Sequence, residues 1–360
     1  MKVLHIVECF SGGVYDFIKD FVNETPDYNH TILYGKRENI KENFREEFNK
    51  NINFIYWQNA QREISLKNDF FALKEVVNLL KKENYDVIHL HSSKAGFLGR
   101  VAGRICNQQN KIIYTTHGIS FLRKDISDLK LKLYILFEKI GKLCGGKIIA
   151  CSKSEAEFIK SKEIDCEYIN NGVKVTGNFI KPLKNDSTIK IITVGRITTQ
   201  KNPELFNKIA ENFIENKKIK FIWVGDGEKR EVLNSPNIEI TGWLNQNEVK
   251  EKLQEENIYL STSSWEGLSL AVLQAMEYKL PLILSNCVGN IDLVNENYNG
   301  YIFKNSDEAV KEIENLVKNK ELIKKFGENS CKLLNKEFDI YKMIGKYRGI
   351  YKEVKNENNN

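Results

Sequence analysis

Short runs of β-forming apolar residues alternate with amphipathic helical stretches along nearly the whole chain, and the alternation runs twice. Strand-like runs fall at 3–8, 31–34, 53–57, 86–90, 111–116, 147–151 and 167–169. Helical periodicity fills the gaps at 14–22, 73–82, 98–106, 129–143 and 153–161. Strands that are apolar on both faces and separated by helices bury those faces best in a parallel sheet covered on each side. The rhythm pauses over 174–187, where Gly177, Pro182, Asn185 and Asp186 leave no strong period, and a linker is expected there. It restarts with strand-like runs at 189–194, 221–224, 237–241, 258–261, 282–284 and 301–303. A chain of 360 residues is long for one α/β domain and suits two. The expected fold is α/β, with doubly wound parallel-sheet domains at 1–173 and 188–339 and a closing helix over 340–355.

Ligands of such sheets bind beyond the carboxyl ends of the strands, where loops meet helix N-termini. The motifs that carry chemistry fall at such places. Strand 189–194 runs into Gly195-Arg196, and Lys201 follows just before Asn202-Pro203-Glu204 opens a helix. A glycine admits close backbone approach, and an Arg and a Lys on one loop suit a diphosphate. Strand 221–224 ends in Gly225-Asp226-Gly227, a pattern that a tight turn explains equally well. Strand 258–261 leads through Ser264-Trp265-Glu266-Gly267-Leu268-Ser269 into a helix at 270–278. The free N–H groups of that helix start favour anions, and Glu266 beside them can accept hydrogen bonds from sugar hydroxyls. Ser269 could equally be a plain helix cap.

In the first half, Gly12-Gly13 follows the first strand and opens the first helix. His117-Gly118 ends one strand, and His89-Leu90-His91-Ser92-Ser93-Lys94 ends the strand before it. Alternation puts His89 and His91 on the same side. No third ligand of metal spacing accompanies them, so no metal is expected. Neither is a D-x-D motif present at a strand end to hold a divalent cation.

These motifs together resemble glycosyltransferase family 4, the retaining enzymes of the GT-B fold, in which two Rossmann-like domains face one another across a donor cleft. The resemblance covers essentially all of the chain, in order. It runs through Gly12-Gly13, DVIHLHSSKAG at 86–96, Thr116-His117-Gly118, ACSKSE at 150–155 and NNGV at 170–173. It continues through Val194-Gly195-Arg196, Lys201-Asn202-Pro203, VGDGE at 224–228 and SWEGL at 264–268. The resemblance implies that Arg196 and Lys201 hold the diphosphate of a nucleotide-sugar donor. Glu266 would contact the transferred sugar, Gly267, Leu268 and Ser269 would bind sugar and phosphate through backbone, and His117 would lie near the anomeric carbon. Gly12, Gly13, Gly195 and Gly225 would line the donor site, and His91, Ser93 and Lys94 the acceptor side. The closing helix is similar to the family's tail that crosses back to brace the first domain. One departure stands out: the family has Glu, seven residues, Glu, and the second position here is Gln274. That Glu grips the ribose hydroxyls, and Gln keeps one acceptor without the charge.

The implied activity is retaining, metal-independent transfer, with uridine diphosphate sugars favoured over guanosine diphosphate mannose. The acceptor would be a glycan or lipid-linked saccharide of bacterial surface polysaccharide. Two rivals share the features: a nucleotide-sugar 2-epimerase of similar fold, and a non-catalytic nucleotide-sugar-binding scaffold marked by Gln274. The joint presence of Arg196, Lys201 and Glu266 argues against the epimerase.

Composition adds three constraints. No run approaches the ~18 apolar residues of a membrane span, and the start lacks the apolar core of a signal peptide, so a cytoplasmic protein is expected. The seven cysteines are scattered, as expected for reduced thiols. The net charge of +6 is concentrated: residues 101–150 hold nine Lys/Arg against three acids. No nucleic-acid partner is expected. The basic segment at 123–147, with Lys124, Lys130, Lys132, Lys139 and Lys142, instead suggests reversible attachment to anionic membrane.

Overall fold

The first half of the pattern forms seven strands with helices between. They are β1 (Lys2–Val7), α1 (Gly12–Asn23), β2 (Asn29–Tyr34), β3 (Asn53–Tyr56), α2 (Leu66–Lys82), β4 (Val87–His91) and α3 (Ser93–Ile105). Then come β5 (Ile112–Thr115), α4 (Asp128–Leu143), β6 (Lys147–Ala150), α5 (Lys153–Lys160) and β7 (Glu167–Tyr168). The computed structural model describes residues 1–35, 43–61, 63–175, 188–255 and 257–358. It divides into two units, Met1–Asn171 with Tyr341–Asn360, and Gly172–Ile340. The division falls just ahead of the expected linker at 174–187, of which residues 176–187 lie outside the described residues.

All pairings in the first sheet are parallel, in the order β3-β2-β1-β4-β5-β6-β7. The chain starts in the middle, winds outward to β3, and returns to the other side of β1 with β4. Such a reversal opens a crevice beyond the strand ends, the place where ligands of doubly wound sheets bind.

Helix α3 begins five residues earlier than apolar periodicity suggests. Its sheet-facing side is made of glycines rather than large apolar residues. A Cβ added at Gly96, Gly99 or Gly103 would sit 2.5, 2.3 and 2.3 Å from Tyr114, Leu90 and Ile112. Small residues let the helix lie close on the sheet, and they mute the hydrophobic period that sequence reading depends on.

The second unit repeats the scheme with β8 (Ile189–Val194), α6 (Pro203–Glu211), β9 (Ile219–Val224), β10 (Ile238–Gly242) and α7 (Gln246–Glu255). It continues with β11 (Ile258–Ser261), α8 (Leu270–Glu277), β12 (Leu282–Ser285), β13 (Gly300–Phe303), α9 (Ser306–Lys318) and α10 (Lys320–Glu337). Its sheet is parallel in the order β10-β9-β8-β11-β12-β13, so the reversal lies between β8 and β11. Buried Ile191, Phe206, Phe221, Trp223, Leu260 and Phe303 form the centre of its core.

The last helix, α11 (Ile340–Glu357), packs on the first sheet. Tyr347 and Tyr351 are fully buried there, and their hydroxyls meet Thr115 Oγ1 at 2.9 Å and His89 Nδ1 at 2.7 Å. An ion pair of Lys147 with Glu353 at 3.0 Å and another of Arg348 with Asp27 fix the helix further along.

Candidate active site

The reversal point of the second sheet brings together the two loops that carry Arg196, Lys201 and Glu266. After β8 the chain turns at Gly195, then through a 3-10 turn at Thr199–Lys201 to Asn202, whose left-handed backbone (φ 51°) starts α6. The Asn202 side chain accepts the Leu205 N–H and Pro203 takes the first helical position, so the sequence Asn-Pro fixes this helix start. The loop after β11 is tied to it by three bonds. Ser264 N donates to Gln200 O (2.8 Å), and the Thr262 hydroxyl is shared between the carbonyls of Lys201 (2.8 Å) and Asn202 (3.1 Å).

Across this junction Lys201 Nζ pairs with Glu266 Oε1 at 2.6 Å, and Gln200 Nε2 reaches Glu266 Oε2 at 3.3 Å. Burial works against the Lys201 charge, but the Glu266 carboxylate overcomes it and holds the ammonium above its ordinary value. An ammonium has three donors, so one bond to Glu266 leaves two for other oxygens. Arg196 is exposed, and its guanidinium has no partner among the described residues.

The glycines here have steric reasons. Gly195 (φ 150°) leaves room for Lys201, whose Cε would lie 3.0 Å from an added Cβ. At Gly225 (φ 135°) a Cβ would sit 2.2 Å from the Gly195 carbonyl, so Gly225 is explained by packing of loop on loop. Gly267 is crowded in turn by Gly289, where a Cβ would fall 2.6 Å from the Gly267 carbonyl. Leu268 is buried core. Ser269 stands at the N-cap of α8, yet its hydroxyl makes no cap bond, so the alternative that it merely caps the helix fails. Gln274, one turn into α8, is half-buried, and no side-chain bond holds it among the described residues.

In the first unit, His117 (φ 51°) and Gly118 (φ 88°) turn sharply after β5. Such a backbone persists only where its surroundings impose it. The buried Glu155 does so, its carboxylate accepting the N–H groups of Gly118 (3.0 Å), Ile119 (2.7 Å) and Cys151 (2.8 Å). Sequence reading saw Glu155 only as part of a motif. Its spacing from Ser152, which caps α5 by accepting Glu155 N–H, was the available signal. Gly12 (φ 60°) is exposed with nothing within 4 Å of an added Cβ, and Gly13 beside it is exposed.

The acceptor-side expectations change. His91 is fully buried, so no direct contact with an acceptor is open to it. Lys94 is bonded to Asp69 at 2.6 Å and to the Glu63 carbonyl, which spends its charge internally. Ser93 Oγ accepts the Ser120 N–H at 3.1 Å and so supports the loop that follows His117.

All five histidines of the chain lie in the first unit and touch one another. His5 Cα is paired with His89 across β1 and β4, supplying the third imidazole that sequence reading did not find. His5, His89 and His91 could group around one ion, their ligand atoms lying within 4.8 Å of one another. Those nitrogens are already engaged. His5 Nδ1 meets His91 Nε2 at 3.0 Å, and His89 meets Tyr351 and Thr115, both at 2.7 Å. Burial pushes His5, His89 and His91 well below the ordinary imidazole value, His30 to about 4 and His117 to about 3.

The amphipathic helix α4 lays a polar side inward. Glu138 and Gly141 face inward, Glu138 meeting the buried Arg100 at 2.5 Å. Leu129, Leu133, Leu136, Ile140 and Leu143 form a stripe left exposed, Leu129 by 79% and Leu143 by 84%. Lys139 pairs with Glu163 and Arg123 with Asp125, while Lys124, Lys130, Lys132 and Lys142 form no ion pair among the described residues. No helix among the described residues is long and apolar enough to cross a membrane.

Two doubly wound parallel sheets, the second with a basic loop and an acidic loop meeting at its reversal, place the chain in the GT-B fold class. The family models for Glycosyltransferase Family 4 and Glycosyl transferases group 1 match residues 27–176 and 175–333. An Escherichia coli UDP-Gal:alpha-D-GlcNAc-diphosphoundecaprenol alpha-1,3-galactosyltransferase is 30% identical over 81% of both chains. The capsular polysaccharide biosynthesis glycosyltransferase CapM of Staphylococcus aureus is 24% identical over 77% of this chain and 79% of its own. The chain belongs to glycosyltransferase family 4. In fold it is similar to sucrose-phosphate synthase from Thermosynechococcus elongatus, with a TM-score of 0.81 at 15% identity over 98% and 99% of the two chains. It is also similar to Anabaena Alr3699/HepE in complex with UDP-glucose (TM-score 0.79, 14% identity, 98% and 100% covered).

Proposed function

We propose that this protein moves a hexose or N-acetylhexosamine from a UDP-sugar to a lipid-linked saccharide with retention of configuration, without a metal ion. The observation that carries the reading is the loop pair at the reversal of the second sheet. There Arg196, which has no partner among the described residues, the Lys201–Glu266 pair and the start of α8, which has no side-chain cap, meet at one strand-end crevice. Arg196, Lys201 and the α8 N-terminus neutralise the diphosphate as it departs. Glu266, fixed by Lys201 and Gln200, keeps lone pairs for sugar hydroxyls, and His117 contacts the transferred sugar. No protein nucleophile is assigned, and the leaving phosphate helps to deprotonate the acceptor hydroxyl.

The donor and acceptor classes are supported by the activity of the Escherichia coli relative, which moves galactose from UDP-Gal to a diphosphoundecaprenol-linked GlcNAc. UDP and UDP-glucose complexes of Anabaena HepE agree with the choice of nucleotide. The membrane assignment rests on α4, whose exposed leucines and unpaired lysines suit the anionic face on which a lipid-linked acceptor would reside. Incubation with a panel of UDP-sugars and a lipid-diphosphate GlcNAc acceptor, with chelator present, tests the reading. An α-linked product from a UDP-α-sugar is expected. Inversion at the anomeric carbon, or strict need for Mg²⁺ or Mn²⁺ in the chemical step, would overturn the mechanism.

A further inference from the structure

Three buried imidazoles and the half-buried His117 lie in series. His117 Nε2 meets His91 Nδ1 at 3.0 Å, His91 Nε2 meets His5 Nδ1 at 3.0 Å, and His5 Nε2 meets His30 Nδ1 at 3.1 Å. The series ends where His30 Nε2 meets Thr25, at 3.1 Å from its carbonyl and 2.9 Å from its hydroxyl. A carbonyl can only accept, and the Thr25 hydroxyl already donates to the Phe21 carbonyl at 2.7 Å. Both groups facing His30 Nε2 are therefore acceptors, and this nitrogen must carry the proton.

Everything upstream follows, because a neutral imidazole has one donor and one acceptor. His30 Nδ1 is bare and accepts from His5 Nε2–H. His5 Nδ1 then accepts from His91 Nε2–H, and His91 Nδ1 accepts from His117 Nε2–H. The surroundings keep the rings neutral: Phe17 and Phe21 pack on them, and His89 lies with its ring centre 4.1 Å from that of His91. Among the described residues, the charges that act on His30 are Asp27, Arg348 and the chain's N-terminus, after burial itself. The last atom in the series, His117 Nδ1, has no partner among the described residues.

We propose that His30, His5 and His91 act as positioning residues that fix His117 as its Nε2–H tautomer, so its Nδ1 presents a standing lone pair to substrate. The group that meets His117 must then be a donor, such as a sugar hydroxyl, and a carboxylate or phosphate oxygen at that atom is rejected. The series orients and does not conduct, since the terminal carbonyl has no place for a proton. The inference rests on the reading that His117 faces substrate only in this last step. The tautomer itself is a property of the free protein.

Selective ¹⁵N labelling of the histidines in the full chain at pH 8 tests both parts. Wild type should show His117 with a protonated Nε2 and a bare Nδ1; a protonated Nδ1 at His117 overturns the proposal. His30→Phe removes the anchor and should give mixed tautomers at His5 and His117. His30→Asn, which keeps an acceptor near the Nδ1 position, should restore the single tautomer. A single unchanged His117 tautomer in His30→Phe would also sink the idea. In kinetics, His30→Phe should lower kcat/KM by roughly three- to tenfold, the worth of one neutral hydrogen bond, with His30→Asn near wild type. If UDP-sugar leaves the His117 Nδ1 resonance unmoved while the tautomer stands as stated, the substrate-facing role of His117 fails and the fixed tautomer survives.

Discussion

Acidification to pH 5.5 should destabilise the first unit far more than the second. Every histidine of the chain lies in the first unit, and the second has none. Burial holds the folded imidazoles below the ordinary value of 6.5, His30 at about 4. As pH falls below 6.5 the unfolded chain takes up protons that the folded one refuses, so stability is full above that value and is lost toward the folded value. For His30 alone the loss at pH 5.5 relative to pH 8 is about 1.4 kcal/mol. His5, His89 and His91 are depressed in the same direction, and His117 to about 3. If two to five rings stay neutral in the folded state, the first unit loses roughly 3–7 kcal/mol, a large part of a domain's usual 5–15. Urea melts at pH 8, 6.5 and 5.5, followed by hydrogen exchange resolved to peptides of each unit, give the two stabilities separately. The first unit should drop steeply between pH 6.5 and 5.5. Equal losses in both units, or no loss in the first, would refute burial of neutral imidazoles as the cause.

The other expectations concern the second unit and the surface. Arg196→Ala and Lys201→Ala should each lower turnover by about 10²-fold in a sugar-transfer assay, and chelator should leave wild-type activity unchanged. Gln274→Glu should tighten UDP-sugar binding by roughly tenfold in titration calorimetry with turnover nearly constant, because ribose contacts are alike in ground and transition states. Gly225→Ala forces a Cβ to within 2.2 Å of the Gly195 carbonyl, so melts should show a second unit weakened by about 2 kcal/mol or more and UDP binding impaired. Leu133→Asp with Leu136→Asp should abolish flotation with anionic vesicles and spare activity on a soluble acceptor analogue, and high salt should weaken wild-type flotation.

The part of the site that sequence reading captured is local in the chain. Gly195, Arg196 and Lys201 follow one strand end, and Glu266 to Ser269 follow another. Once both strands are placed in one doubly wound sheet, their loops have to meet at the reversal. What it missed depends on register between distant strands. His5, His30, His89, His91 and His117 come from strands and loops spread over more than a hundred residues, and only the pairings Val3↔His30, His5↔His89 and His91↔Thr115 put them on one face. Periodicity could place His89 and His91 together, but a period says nothing of which neighbour strand adds a third ring. The leucines of α4 were open for a different reason: an amphipathic pattern marks two faces without saying which is inside. Here the buried Arg100–Glu138 pair and the close approach of Gly141 to Arg100 turn the polar side inward, with an added Cβ at Gly141 only 2.5 Å from Arg100 Nη2. A buried ion pair that loses one partner is costly, so the helix cannot roll its leucines onto the sheet without stranding Arg100. The apolar stripe is therefore held outward by the electrostatics beneath it, which is the arrangement a membrane-facing helix needs.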